Sequence, residues 1–165
     1  MSYDVTFQRR GLDALFDLKG RAGAIRGWAG DTLPQLPDRP NTRSSGGEVE
    51  VYYVGCDHWL ARAPLDQEEM LEAQLQPATC PVEISIVRVS DTLSFFRVTG
   101  PDAPEVMAIA CPLDLHEAAF AVDAVTYTEM FGLKALVLRC TGGFEFAVEQ
   151  SFGDMVEDYL TRATV

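Results

Sequence analysis

Cys111 and His116, in the run CPLDLH, carry the side-chain types of a thiolate nucleophile and its base. A thiolate forms readily at neutral pH only where a neighbouring group lowers its pKa, and histidine is a common choice. The spacing by itself does not join the two. The same residues fit a loop that follows a helix, with Pro112 as the stop and Leu113 and Leu115 as anchors, and this is the preferred reading. His58, beside Trp59 on an expected strand, reads as a packed or surface histidine rather than a ligand. Asp91, between two apolar runs, is a carboxylate that could take the paired N–H donors of a pterin or an amine. Turn chemistry explains it as well, because aspartate caps nearby backbone donors in turns, and that reading is favoured. Trp28, Tyr52, Tyr53 and Phe96 could line a cofactor slot, but strands need such aromatics for their core.

Familiar catalytic signatures are missing. The chain contains no GxGxxG and no GxxxxGK[ST], so no dinucleotide-binding turn or phosphate-cradling loop can be read from it. It has no GxSxG elbow and no HExxH helix. Cys56, Cys80, Cys111 and Cys140 lie far apart without a CxxC pair, and there are only two histidines. Structural zinc sites draw on closely spaced ligand pairs, so buried thiols are the simpler account and no metal is expected.

Composition narrows the partners. A net charge of −12 argues against nucleic acid or anionic lipid, whose phosphates are met by clustered Lys and Arg. The imbalance is uneven: residues 1–45 hold seven basic and five acidic side chains, whereas the remainder holds six basic and twenty acidic. No apolar run is long enough to span a bilayer. The first ten residues lack an apolar h-region, so no secretory signal is expected and a cytoplasmic location is the default.

The elements that must position these residues can be read from periodicity. Residues 31–47, DTLPQLPDRPNTRSSGG, look like an extended connector, and residues 1–45 as a whole like an N-terminal arm ahead of an α+β body at 46–165. That body reads as one compact unit or two small lobes. Within the arm, Leu12, Leu15 and Phe16 would face one side of a short helix ending at Gly20. Val49, Val51 and Tyr53 alternate as in a strand, Gly55–Asp57 make a turn, and His58–Ala63 return. Capping boxes are expected at Asp66/Glu69, with Leu65 stapled to Met70, and at Asp102/Glu105. Val82–Val89 and Leu93–Thr99 suggest a second hairpin around Ser90–Thr92. Three more strands are predicted over Val125–Phe131, Leu133–Cys140 and Phe144–Val148. Ser151 and Asp154 would open a terminal helix with Phe152, Met155, Val156, Tyr159 and Leu160 as its apolar stripe. The predicted fold is a mainly antiparallel sheet with helices packed on one face.

Several segments taken together resemble the gamma subunit of heterotetrameric sarcosine oxidase. They are LPQLPDRPNT (Leu33–Thr42), GCDHWL (Gly55–Leu60), VSDTLSFFRVTGPDAPEVMAIACPLDLH (Val89–His116) and GGFEFAVEQSF (Gly142–Phe152). The most specific element is RVTGPDA followed by CPLDLH. The resemblance covers about residues 30–162; WLARAP in place of a WLL-type run and GCDHW in place of a GPDEW-like turn depart from it.

This resemblance implies a fold like the folate-binding fold of the glycine-cleavage aminomethyltransferases. It implies a non-catalytic accessory chain of a complex that oxidatively demethylates sarcosine to glycine. FAD, FMN, NAD and tetrahydrofolate would reside on the larger subunits, the alpha subunit being the expected neighbour. A small subunit of a related complex, such as N-methylglutamate dehydrogenase, is the alternative. A stand-alone tetrahydrofolate-binding or aminomethyltransferase-like protein is an alternative of another class. The folate-binding iron–sulfur assembly proteins are disfavoured because no KGCxxGQE-type run is present. Subunit contact is expected at residues 21–45 and at Cys111, Pro112, Leu113, Asp114, Leu115 and His116, and the isolated chain is expected to be able to self-associate.

Overall fold

A computed structural model describes residues 3–164. The elements in chain order are β1 (Thr6–Arg9), β2 (Asp13–Lys19), α1 (Ala22–Ala29), β3 (Arg43–Gly46), β4 (Val49–Gly55), β5 (His58–Pro64), α2 (Glu68–Leu75) and β6 (Ser85–Arg88). β7 (Leu93–Thr99), α3 (Ala103–Ala110), β8 (Val125–Met130), β9 (Leu133–Cys140), β10 (Gly143–Glu149) and α4 (Gly153–Ala163) follow. They form two compact units: Leu12–Ser90, and the residues up to Gly11 together with those from Asp91 onward. Each contains a five-stranded antiparallel sheet, so the α+β class predicted from the sequence holds.

In the Leu12–Ser90 unit the strand order is β3-β4-β5-β2-β6. Phe16 and Leu18 of β2, Val51 of β4, Trp59 and Ala61 of β5 and Ile86 of β6 share one core with Ile25 of α1 and Leu71 and Leu75 of α2. The predicted helix ending at Gly20 is instead the strand β2. As an inner strand between β5 and β6, it buries Ala14, Leu15 and Phe16 in succession, and Leu18 beyond Asp17. A continuous apolar run of this kind does not show the alternation that marks a half-buried strand. Gly20 follows β2 with φ +130°, and a Cβ there would meet the Glu83 carbonyl oxygen at 2.8 Å, so backbone approach requires glycine.

A polar cluster crosses β2, β4 and β5. The buried Arg62 guanidinium donates to Asp13 at 2.7 Å and to the Tyr52 hydroxyl at 3.3 Å, while that hydroxyl donates to Glu50 at 2.7 Å. Burial pushes ionisation of Tyr52 well above the ordinary tyrosine range.

The expected arm is part of the folded body. β1 lies in one sheet and β2 near the middle of the other, so cutting away residues 1–30 removes two strands and a helix. The proline-containing connector is likewise packed in its own unit. Leu33 and Leu36 are buried, the Trp59 indole donates to the Pro37 carbonyl at 3.1 Å, and the Thr42 hydroxyl donates to the Arg39 carbonyl at 2.6 Å.

The second unit has strand order β1-β7-β10-β9-β8. Phe96 and Val98 of β7, Phe144, Phe146 and Val148 of β10, and Ala135 and Val137 of β9 form its core with Val106 and Met107 of α3 and Val156 and Leu160 of α4. Phe96 and Phe146 are cross-strand partners with stacked rings 5.3 Å apart. The predicted hairpin over residues 82–99 does not form. β6 pairs with β2, whereas β7 pairs with β1 and β10. The Leu15 amide holds Ser90 Oγ at 3.0 Å and the Arg10 amide holds the Phe95 carbonyl at 2.8 Å, so distant partners set both registers.

The expected caps are also used differently. α2 begins at Glu68 after a 3-10 turn containing Asp66, and the intended staple pair, Leu65 and Met70, is exposed. Asp102 stands at the start of α3, but its Oδ2 accepts the Asp4 amide at 2.7 Å. At α4, Asp154 is held by Arg9 of β1 at 2.6 Å, and Arg9 also donates to Ser94 Oγ. A Cβ on Gly153 would fall on the Arg9 guanidinium and Ser94 Oγ. Of the expected α4 stripe, Val156 and Leu160 are buried, whereas Phe152 and Tyr159 remain over a third exposed.

Replacing Leu36 with alanine tests whether the connector belongs to the core. Chemical denaturation should show a loss of about 2–5 kcal/mol, the usual range for a buried leucine truncated to alanine. A loss within experimental error would mean that the connector is a free arm.

Candidate functional site

The segment from Cys111 to Phe120 follows α3 and is held from outside by β9. Period-two alternation places Arg139 on the same face as Ala135 and Val137, both of which are in the core. A cation at that end of the strand needs acceptors, and the backbone supplies them. Arg139 Nη2 donates to the Leu115 carbonyl and Nε to the Phe120 carbonyl, each at 2.5 Å. The guanidinium also lies over the Phe144 ring, 5.0 Å from its centroid. Arg139 and Phe144 are register partners on β9 and β10.

Each member of CPLDLH then has a definable place. Cys111 ends α3, its amide donating to the Met107 carbonyl at 2.8 Å, and its side chain is buried in the core. Leu115 is buried and Leu113 packs beside it half-buried. Asp114 Oδ1 accepts the His116 amide at 2.9 Å, and His116 Nδ1 accepts the Ala118 amide at 3.2 Å. With Nδ1 acting as acceptor, neutral His116 carries its proton on Nε2. The His116 carbonyl accepts the amides of Ala119 and Phe120. The thiol thus joins the core and one imidazole nitrogen closes a turn, as expected of a loop anchored after a helix.

Two clefts flank this loop. One of about 520 Å³ is lined by Pro104 and Ala108 of α3, Leu113 to Glu117, and Arg139. The other, of about 580 Å³, includes Pro101, Ala121, Val122, Cys140 and Phe144. Both include Pro104, Glu117 and Arg139, so they are neighbouring parts of one groove.

The remaining candidates do not gather around it. Asp91 is exposed in the turn that precedes β7 rather than at a hairpin tip. His58 Nε2 meets Asp17 Oδ1 at 2.5 Å on the neighbouring strand, and Asp17 also pairs with Lys19 at 3.1 Å. Tyr53 packs edge-on to Trp59, Tyr52 is fully buried, and the Trp28 indole donates to the Leu75 carbonyl at 2.7 Å. Phe96 belongs to the core of the other unit, so within neither unit do the four aromatics form one slot. Among the described residues, no group of three or more His, Cys, Asp or Glu is placed to hold a metal ion. No helix among them is long and apolar enough to cross a membrane.

Sequence reasoning missed Arg139. The available signal was its position at the end of LKALVLRC in phase with apolar core residues, where an arginine requires buried acceptors. Arg139→Met should therefore loosen the loop while leaving the sheet folded. Limited proteolysis should cut first between residues 112 and 119, with about 3–6 kcal/mol lost on denaturation from two charge-assisted hydrogen bonds at about 1.5–3 kcal/mol each. Cleavage indistinguishable from the wild type would contradict the anchoring role.

Comparison with known proteins places these features in a family. Residues 32–165 match the model of the sarcosine oxidase, gamma subunit family. The chain is 30% identical over 148 residues to a sarcosine oxidase subunit gamma from Arthrobacter sp., covering 88% of this chain and 68% of the relative. It is 34% identical over 122 residues to one from Corynebacterium sp. (strain P-1), covering 72% of this chain and 56% of the relative. The chain thus spans just over two thirds of the first relative's length and just over half of the second's. Among solved structures, heterotetrameric sarcosine oxidase from Corynebacterium sp. U-96, in complex with pyrrole 2-carboxylate, aligns with a TM-score of 0.85 at 22% identity. That alignment covers 97% of this chain and 83% of the other. The glycine cleavage system aminomethyltransferase T from Bartonella henselae aligns with a TM-score of 0.70 at 12% identity, covering 96% of this chain and 46% of the other. At such identities the structural likeness concerns the fold alone.

Proposed function

The chain belongs to the sarcosine oxidase gamma subunit family, and from that premise we propose that it is a non-catalytic accessory subunit of a heterotetrameric complex that oxidatively demethylates sarcosine. The observation that carries the reading is the family match across residues 32–165, which includes the GPDA–CPLDLH segment built around Arg139. The chain's own chemistry agrees with it. Cys111 fills the core, and His116 uses Nδ1 to hold a turn, so the side chains best suited to nucleophilic catalysis serve the loop's shape.

The redox chemistry belongs to larger partner subunits in this proposal, with FAD, FMN, NAD and tetrahydrofolate as the groups they carry. The alpha subunit is the proposed neighbour. The contact includes the loop Cys111–His116, whose exposed residues Pro112, Asp114 and His116 stand beside the groove. The connector also contributes to folding, because Leu33 and Leu36 belong to its own unit's core.

Co-expression with the larger subunits of its complex, followed by purification on a tag placed on one of them, tests the proposal. The chain should co-purify in a yellow complex, and calorimetry on the isolated chain should show no stoichiometric tetrahydrofolate binding. Stoichiometric folate binding by the isolated chain, without recovery of flavoprotein partners, would instead make it a stand-alone folate protein.

A further inference from the structure

The groove beside Arg139 combines an apolar lining with two carboxylates, and that combination selects a kind of occupant. Pro104, Ala108, Leu113 and Leu115 supply apolar surface at one end, and Val122, 77% exposed, supplies it at the other. Asp114 and Glu117 are exposed beside it, and Glu117 lines both parts. Among the described residues neither carboxylate forms an ion pair with a cationic side chain. Arg139 lines the groove too, but its Nη2 and Nε are directed at the Leu115 and Phe120 carbonyls.

We propose that this groove receives a segment of a larger subunit carrying an apolar side chain beside an arginine or lysine, with the basic group paired to Glu117 and Asp114. The inference rests on the accessory-subunit reading and adds to it the chemistry of the contact. Charge complementarity identifies the occupant. A second copy of this chain, itself at −12, meets these acids with an acidic surface on average, and nucleic acid is repelled for the same reason. An apolar anchor in a preformed groove with a charged contact at its rim is an ordinary way for a subunit interface to gain both affinity and orientation. The Arg139 clamp preforms the groove, so little ordering is left for the moment of assembly.

The test compares the full chain with E117K, E117Q and the control E69K, which makes the same charge change at an exposed position of α2 in the other unit. Each is co-expressed with the larger subunits, and dissociation of the purified complex is measured by sedimentation at low and high salt. E117K should weaken assembly roughly tenfold and E117Q several-fold, with a shallower salt dependence, while E69K matches the wild type. Thermal midpoints of the free variants separate weakened binding from misfolding, and the near-isosteric E117Q decides if E117K fails to fold. Wild-type assembly with E117K or E117Q binding like E69K overturns the groove proposal alone. Failure of the wild type to assemble overturns the accessory-subunit reading and the groove's occupant with it.

Discussion

A guanidinium at the core-facing end of a strand must find acceptors, and Arg139 finds them in the backbone of the loop after α3. Its two donated hydrogen bonds fix the Leu115 and Phe120 carbonyls, and its face covers Phe144. The loop is thereby fixed between α3 and β9 without a regular element of its own, and the groove beside it keeps a defined shape. The same economy appears at Arg9, which ties β1 to α4 through Asp154 and packs its guanidinium against Gly153. In both places a strand arginine ties a neighbouring segment to its sheet, and among the described residues none of the four α-helices has a side-chain hydrogen bond at its N-cap.

These interactions bear on function because they occupy groups that could otherwise react or bind. Asp102 holds the Asp4 amide, His116 holds the Ala118 amide, and Cys111 lies in the core. What remains exposed beside the loop is a surface suited to association: apolar side chains, two carboxylates that have no ion partner among the described residues, and a groove. A member of the sarcosine oxidase gamma subunit family built in this way fits a partner better than a substrate.

Much of the fold was legible where the relevant partners are close in sequence. The β4–β5 hairpin and the β8–β9–β10 meander join strands that are neighbours in sequence through turn residues, and α4 shows a 3.6-residue stripe at Val156 and Leu160. Legibility ended where distant segments decide. β2 resembles a helix because an inner strand buries consecutive apolar residues, and β6 and β7 resemble a hairpin although their partners lie elsewhere in the chain. The connector reads as an extended arm because prolines and polar residues dominate it, yet Leu33 and Leu36 join it to the core of its own unit. At the site, CPLDLH was recognisable as an anchored loop. Its anchor was not, because Arg139 lies 23 residues beyond His116 in sequence and only the β9 register brings it there.

The central claim is that the surface around this loop is covered by a partner subunit. Hydrogen–deuterium exchange of the free chain and of the assembled complex tests it most directly, because every amide reports on its own cover. The account predicts that assembly adds protection chiefly over residues 104–122, with the strands of the Leu12–Ser90 unit little changed. Added protection confined to that other unit, with residues 104–122 exchanging as they do in the free chain, would contradict it.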